Sequence, residues 1–145
     1  MKKVSVPAFR DTIKQGISLY NQGKYLDARK LFDSIVRVLS PRKKPSQDDT
    51  EILSDAYYHL GLCYEKLNNT AEALNSFSKA IELLPDDADP YYHRSIIYSQ
   101  MNQSSPALND LSSAIRHNPD YTEAYFDRAG INFLSGRFNE VLADC

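Results

Sequence analysis

His59 and His93 stand 34 residues apart, and Asp127 stands 34 beyond His93. Imidazole nitrogen and carboxylate oxygen are donors that zinc accepts, and histidine is the side chain that titrates near neutrality. Closer in sequence, Asp55, His59 and Cys63 follow one another at intervals of four. On a helix that spacing lines up an acid, a base and a thiol. Arg94 and Arg128 each precede an aspartate by 16 residues, Asp110 and Asp144, which is material for two ion pairs. Each chemistry depends on the elements that carry these residues.

Those elements repeat. Residues 54–87 laid over 88–121 give 14 identities in 34 positions, among them Asp55/Asp89, Tyr57/Tyr91, Tyr58/Tyr92, His59/His93, Tyr64/Tyr98, Asn68/Asn102, Ala73/Ala107, Ala80/Ala114 and Pro85/Pro119. Chance would give roughly two, so the chain contains an internal repeat. Within it Tyr57, Leu60, Gly61 and Tyr64 make one helical stripe, Ala73, Phe77 and Ala80 a second, and Asn68-Asn69 lie between. The spacing predicts a helix, a turn and a helix.

At these residues the chain resembles the tetratricopeptide repeat family, whose signature is carried by Tyr57, Leu60, Gly61, Tyr64, Ala73, Phe77, Ala80 and Pro85. The resemblance implies an all-α fold, a right-handed superhelical array of antiparallel helix pairs. An N-terminal lead-in covers 1–8, with Pro7 placed to open a helix. Repeat 1 spans 9–39, where Phe9, Ile13, Gly16, Ile17 and Tyr20 trace one stripe, Asn21-Gln22-Gly23 the turn, and Tyr25, Ala28, Phe32 and Ile35 the second helix. Repeat 2 spans 51–87, repeat 3 spans 88–121, and an incomplete repeat 4 spans 122–145. Gly16 and Gly61 are small because the paired helices cross there. Repeat 3 departs from the signature with Arg94 and Ser95 where the family has Leu and Gly. It is expected to open with Asp89 as N-cap and Pro90 at the first helical position. The short final helix leads us to expect part of a longer array, because a terminal repeat normally presents a polar outer face.

From Gly16 to Gly61 is 45 residues, the repeat length plus an insertion of 11 that falls at 40–50. Pro41 and Pro45 bracket Arg42, Lys43 and Lys44, and Asp48 and Asp49 follow. The segment reads as an exposed linker, with docking or modification as its alternative uses. Ser46 is positioned to cap a helix beginning near Asp48, ahead of the repeat proper.

Bulk properties narrow the function. A net charge of -2 and pI near 5.9 provide no basic field for nucleic acid or an anionic membrane. No apolar run reaches the roughly 18 residues of a membrane helix, and the start at Met1-Lys2-Lys3 has too short an apolar stretch for a signal peptide. An intracellular, cytoplasmic protein is expected. Cys63 and Cys145 lie too far apart for a metal or redox motif, and Cys63 falls on a face that should be packed. No cofactor and no catalysis are expected, because phosphate-loop, nucleophile-elbow and metal motifs are all lacking.

The resemblance implies a concave groove lined by the first helix of each repeat. Carried over residue by residue, its candidate contacts are Ile13, Ile17 and Tyr20 in repeat 1, and Asp55, Tyr58, His59 and Leu62 in repeat 2. They continue as Asp89, Tyr92, His93 and Ile96 in repeat 3, and Glu123, Phe126 and Asp127 in repeat 4. Arg10, Asn21, Glu65, Lys66, Ser99, Gln100, Gly130, Phe133 and Leu134 fall in the same columns. The floor is aromatic and aliphatic with an acidic side, which suits a protein or peptide segment with apolar anchors and basic residues. His59, His93 and Asp127 fall in one column at the groove edge, and helices in such arrays lie about 10 Å apart, so polar contact is expected of them rather than zinc. The clamp by which one branch of the family holds acidic chaperone tails needs Lys, Arg and Asn. Its positions here are Ile13, Ile17, His59, Asp89 and His93 in one register, and Tyr58, Leu62, His93, Glu123 and Asp127 in the other. Neither supplies the cations. A peptide-binding scaffold is therefore expected, the alternative being a structural subunit that contacts a larger assembly by its convex face, the 40–50 loop or its C-terminal end.

Overall fold

Four of the turns share one backbone device. Gly23, Asn68, Asn102 and Gly136 have φ of 76°, 56°, 58° and 72°, the left-handed region that only Gly and, next, Asn enter at small cost. Each is followed by an N–H that reaches back to the preceding helix: Lys24 to Leu19 O, Asn69 to Tyr64 O, Gln103 to Tyr98 O and Arg137 to Asn132 O, all at 2.8–2.9 Å. These bonds satisfy the last carbonyls of one helix and start the next after a very short connection.

The computed structural model describes residues 5–145, and the expected features of Met1-Lys2-Lys3 lie outside them. Among the described residues there are eight helices and no strand: α1 (Val6–Asn21), α2 (Tyr25–Leu39), α3 (Gln47–Lys66), α4 (Thr70–Leu83), α5 (Ala88–Gln100), α6 (Ser104–His117), α7 (Thr122–Leu134) and α8 (Phe138–Asp144). They form two units, residues 1–85 and 86–145.

In the first unit α1 packs on α2, α2 on α3 and α3 on α4, and α1 also touches α3. Its core joins Phe9, Ile13, Ala28, Phe32, Ile35, Leu39, Ile52, Leu53, Ala56, Leu60 and Cys63. The expected crossings are present: a Cβ on Gly16 would lie 2.5 Å from Phe32 Cζ, and one on Gly61 2.5 Å from Phe77 Cε1. Each aromatic ring of the second helix fills the space that a first-helix side chain would need. In the second unit α5 packs on α6, α6 on α7 and α7 on α8. Its core is Ala88, Leu111, Ala114, Ile115 and Ala124, with Tyr91, Tyr92, Tyr121, Tyr125 and Ile131 against it.

Two helix starts differ from expectation, and a third, capped by Ser46 as expected, shortens the inserted segment. Residues 6–8 of the expected lead-in are already helical, because Val6 packs on the first core and Pro7, which has no N–H, sits in the first turn where none is needed. The inserted segment is shorter than 40–50: α3 starts at Gln47, where a Ser46–Asp49 capping box closes it, Ser46 Oγ accepting from Asp49 N at 3.1 Å and Asp49 Oδ2 from Ser46 N at 3.2 Å. The N-cap of α5 is Asp87, whose Oδ1 accepts from Asp89 N at 3.1 Å. Asp89 and Pro90 thus lie inside the first turn.

Candidate functional site

The two Arg–Asp pairs form and anchor the helix hairpins of the second unit. Arg94 Nε and Nη2 donate to Asp110 Oδ2 and Oδ1, each at 2.8 Å, a bidentate pair joining α5 to α6. Asp110 is buried, and the Arg94 guanidinium sits 5.9 Å from the ring centres of both Tyr91 and Tyr98. The carboxylate's hydrogen bonds raise the Arg94 pKa further above its usual value. Arg128 repeats the arrangement between α7 and α8, with Nε donating to Asp144 Oδ2 at 2.8 Å and Nη2 to Oδ1. It adds a bond from Nη1 to Ser112 Oγ at 3.1 Å. These cations are committed to holding helices together.

In the first unit a cleft of about 350 Å³ lies between α1 and α3, lined by Arg10, Ile13, Lys14, Glu51, Ile52 and Asp55. Arg10 Nη2 lies 3.1 Å from Asp48 Oδ1 and 3.9 Å from Glu51 Oε2. Of the predicted residues the cleft unites Ile13 and Asp55, with Arg10 from the companion columns. Ile13 is a floor rather than a free contact, being 6% exposed in the core. Ile17 and Tyr20 are half-buried and packed against that core. Tyr20 makes an edge contact with Tyr25 at 5.1 Å, and burial, aided by Glu65, pushes its phenol up to about 12. Tyr58, His59 and Leu62 do not line the cleft. Tyr58 is wedged between His59 and Phe77, at 5.1 and 6.1 Å.

His59 corrects the expectation of a groove-edge histidine. Its ring stacks on Phe32 at 5.1 Å and 21°, and Nδ1 lies 2.9 Å from Asp55 O and 3.0 Å from Asp55 Oδ1. It belongs to the packing of α2 on α3. Cys63, four residues on, is buried with its thiol pushed up to about 12, so Asp55, His59 and Cys63 make no exposed reactive set. Among the described residues no three His, Cys, Asp or Glu side chains are placed to hold a metal ion.

In the second unit a cleft of about 280 Å³ between α5 and α7 is lined by Ser95, Ile96, Ser99, Gln100, Leu111, Phe126, Asp127, Gly130, Ile131 and Leu134. It gathers the predicted Ile96, Phe126 and Asp127 with the companion columns Ser99, Gln100, Gly130 and Leu134. Phe126 is 78% exposed and Leu134 86%. Asp89 and Glu123 are exposed in the first turns of α5 and α7. Tyr92 instead lies against Tyr121 at 4.8 Å and meets the half-buried His93 edge-on at 5.4 Å. The residues missed by sequence reasoning are the floor, Ser95, Leu111 and Ile131. Leu111 falls in the stripe of Phe77 one repeat later, and that was the available signal.

Residues 54–87 match the family model described as "Tetratricopeptide repeat". Nearly the whole chain is similar in fold to solved structures. MamA 41-end from Desulfovibrio magneticus RS-1 is 18% identical with a TM-score of 0.75, over 94% of this chain and 71% of that one. The first tetratricopeptide repeat domain of Spaghetti (RPAP3), solved with the HSP90 peptide SRMEEVD, is 16% identical with a TM-score of 0.79, over 92% and 99%. The Hsp90 co-chaperone Cns1 from Saccharomyces cerevisiae is 21% identical with a TM-score of 0.78, over 94% and 42%. No curated protein sequence matches the chain. Among the described residues no helix is long and apolar enough to cross a membrane. Tetratricopeptide repeats generally mediate protein–protein interaction. Residues 54–87 are thus matched as a tetratricopeptide repeat, and the same helix pair recurs along the chain in the fold of tetratricopeptide repeat structures.

Proposed function

We propose that the chain is a binding scaffold, not an enzyme, and that its second unit captures an extended partner segment between α5 and α7. The observation that carries this reading is the exposure of Phe126 and Leu134 around an apolar cleft. Large apolar side chains held open around a concavity are typical anchors for a partner's own apolar side chains. Asp127 lines the cleft, no cation does, and Asp89 and Glu123 add carboxylates on the same two helices. The partner segment is therefore apolar with Lys or Arg beside its anchors. The cleft of the first unit carries both signs, Arg10 and Lys14 against Glu51 and Asp55, and discriminates less by charge. The HSP90 peptide of the Spaghetti structure is not carried over, because the clamp positions hold aliphatic, aromatic, histidine and carboxylate side chains here.

Synthetic peptides with two apolar anchors and basic, neutral or acidic flanks, titrated by fluorescence anisotropy, test the reading. The basic peptides should bind best, and Phe126→Ala with Leu134→Ala should weaken them by more than about tenfold, as loss of anchor residues does. Equal binding of acidic peptides, or no effect of the double substitution, would sink it.

A second reading, a structural subunit of a larger complex, is favoured by a separate observation. Phe133 and Phe138, both 60% exposed, meet edge-on at 5.7 Å, with Leu142 76% exposed. Phe138→Ala with Leu142→Ala separates the two, since it spares peptide binding and abolishes assembly.

A further inference from the structure

The connection 40–46 is more than a linker needs to be. A turn closed by the Arg42 N–H to Leu39 O at 3.1 Å places Ser40 and Pro41 at its tip, both exposed. Ser40 is the C-cap of α2, with Arg37 in the last helical turn before it. Lys43 and Lys44 follow, exposed, and Pro45 ends the run. Arg42 turns away from them: its Nη1 donates to Asp49 Oδ1 at 2.6 Å, and Asp49 is buried. That carboxylate also closes the capping box of α3 through the Ser46 N–H. A single guanidinium therefore connects the exposed turn to the start of the next helix.

We propose that Ser40 is a phosphorylation site for a proline-directed protein kinase, and that the phosphate competes with Asp49 for Arg42. The chemistry of the segment supports both parts. Pro41 supplies no backbone N–H after the acceptor hydroxyl, the feature such kinases select, and Lys43 supplies a cation three residues after Ser40. In the transfer Ser40 Oγ attacks the γ-phosphorus of MgATP. The new O–P bond replaces the bond to the bridging oxygen, ADP leaves, and the hydroxyl proton passes to the kinase's base. The product carries about -1.5 to -2 charge at neutral pH. At the C-terminal end of α2 that charge opposes the helix dipole. It is relieved by pairing with the cations around it, Arg37, Arg42, Lys43 and Lys44, and Arg forms the geometrically best pair with phosphate. Each time Arg42 swings to the phosphate, Asp49 loses its guanidinium and the first turn of α3 loosens.

The chain carries its own control. Its other Ser-Pro pair is Ser105-Pro106. Ser105 lies inside the first turn of α6, and the third residue after it is Leu108, so it lacks both the turn and the cation.

The purified, folded chain is incubated with a cyclin-dependent protein kinase and MgATP, and phosphopeptides are mapped by mass spectrometry. Ser40 should be modified and Ser105 not, with Lys43→Ala slowing the reaction and Ser40→Ala abolishing it. No phosphate on Ser40, modification only after denaturation, or equal modification of Ser105 would overturn the site. In the phosphorylated chain, amide exchange at Asp49 and Thr50 should quicken several-fold, and Arg42→Gln should show that quickening without phosphate. Unchanged exchange at those amides would overturn the competition for Arg42.

Discussion

The Phe77 ring occupies the volume in which a side chain on Gly61 would have to lie, 2.5 Å from an ideal Cβ. The pairing of α3 with α4 depends on that absence. Gly61→Ala is expected to force the ring or the helix aside and to cost about 1–3 kcal/mol, the usual range for overpacking. Gly61→Ala with Phe77→Leu should recover part of the loss, and the recovery, measured by urea unfolding as a double-mutant cycle, reports the coupling directly. Additive losses would mean that the two residues do not share the space.

Breaking the pair between α5 and α6 leaves the buried Asp110 without its guanidinium. Arg94→Ala should lower stability by about 3–5 kcal/mol. The preceding repeat holds Leu60 and Ser76 at the corresponding positions. Arg94→Leu with Asp110→Ser copies them and should restore most of the stability, because a buried ion pair can be exchanged for apolar packing at little cost while half a pair cannot. Thermal melts of the three variants decide this.

Stability should also depend on acid through Asp49. The Arg42 guanidinium, first, and the Ser46 N–H hold its carboxyl below the ordinary 3.8. Between the depressed native value and the ordinary one, the unfolded chain binds the extra proton, so stability rises with pH. The contribution is complete above the ordinary value and is lost as pH falls through the native one. Asp49→Asn should lower Tm at neutral pH and flatten the acid-side slope, so that the two Tm curves converge at the acid end.

Thiol labelling offers a test of the first core. Cys63 is buried with its thiol pushed up, and Cys145 is exposed. A thiol-exchange reagent at neutral pH should titrate one group rapidly in the native chain and both in denaturant. Rapid reaction of both under native conditions would mean that the α2–α3 packing opens readily.

What was legible beforehand follows from what a repeat can encode. The 34-residue offset placed the turn at Asn68 and the Arg94–Asp110 pair, and the helical stripes placed the crossings at Gly16 and Gly61 and the turn at Gly23, because each is a relation inside one helix hairpin. His59 was harder. It shares its 34-residue register with His93, yet its ring lies on Phe32, and which flank of a helix meets the preceding hairpin depends on packing rather than on spacing. The same holds for Ile13, buried where an open contact was expected. The start of α3 at Gln47 was legible only in its cap, Ser46, since the capping box lies outside the repeat. In the second unit the companion columns converged on one cleft because its helices are short and evenly spaced, and no insertion shifts them.

The left-handed residues at positions 23, 68, 102 and 136 also bear on how the chain folds. Each reverses direction using only hydrogen bonds to residues a few places back, so a hairpin need not wait for a remote stretch to diffuse into place. Loop-closure entropy is small at every stage, and proteins dominated by such neighbourly pairings reach the native state in microseconds to milliseconds. A stopped-flow or temperature-jump chevron should therefore show fast refolding, and Asn68→Val, which makes one reversal laborious, should slow refolding more than it speeds unfolding if that hairpin is the one that forms first.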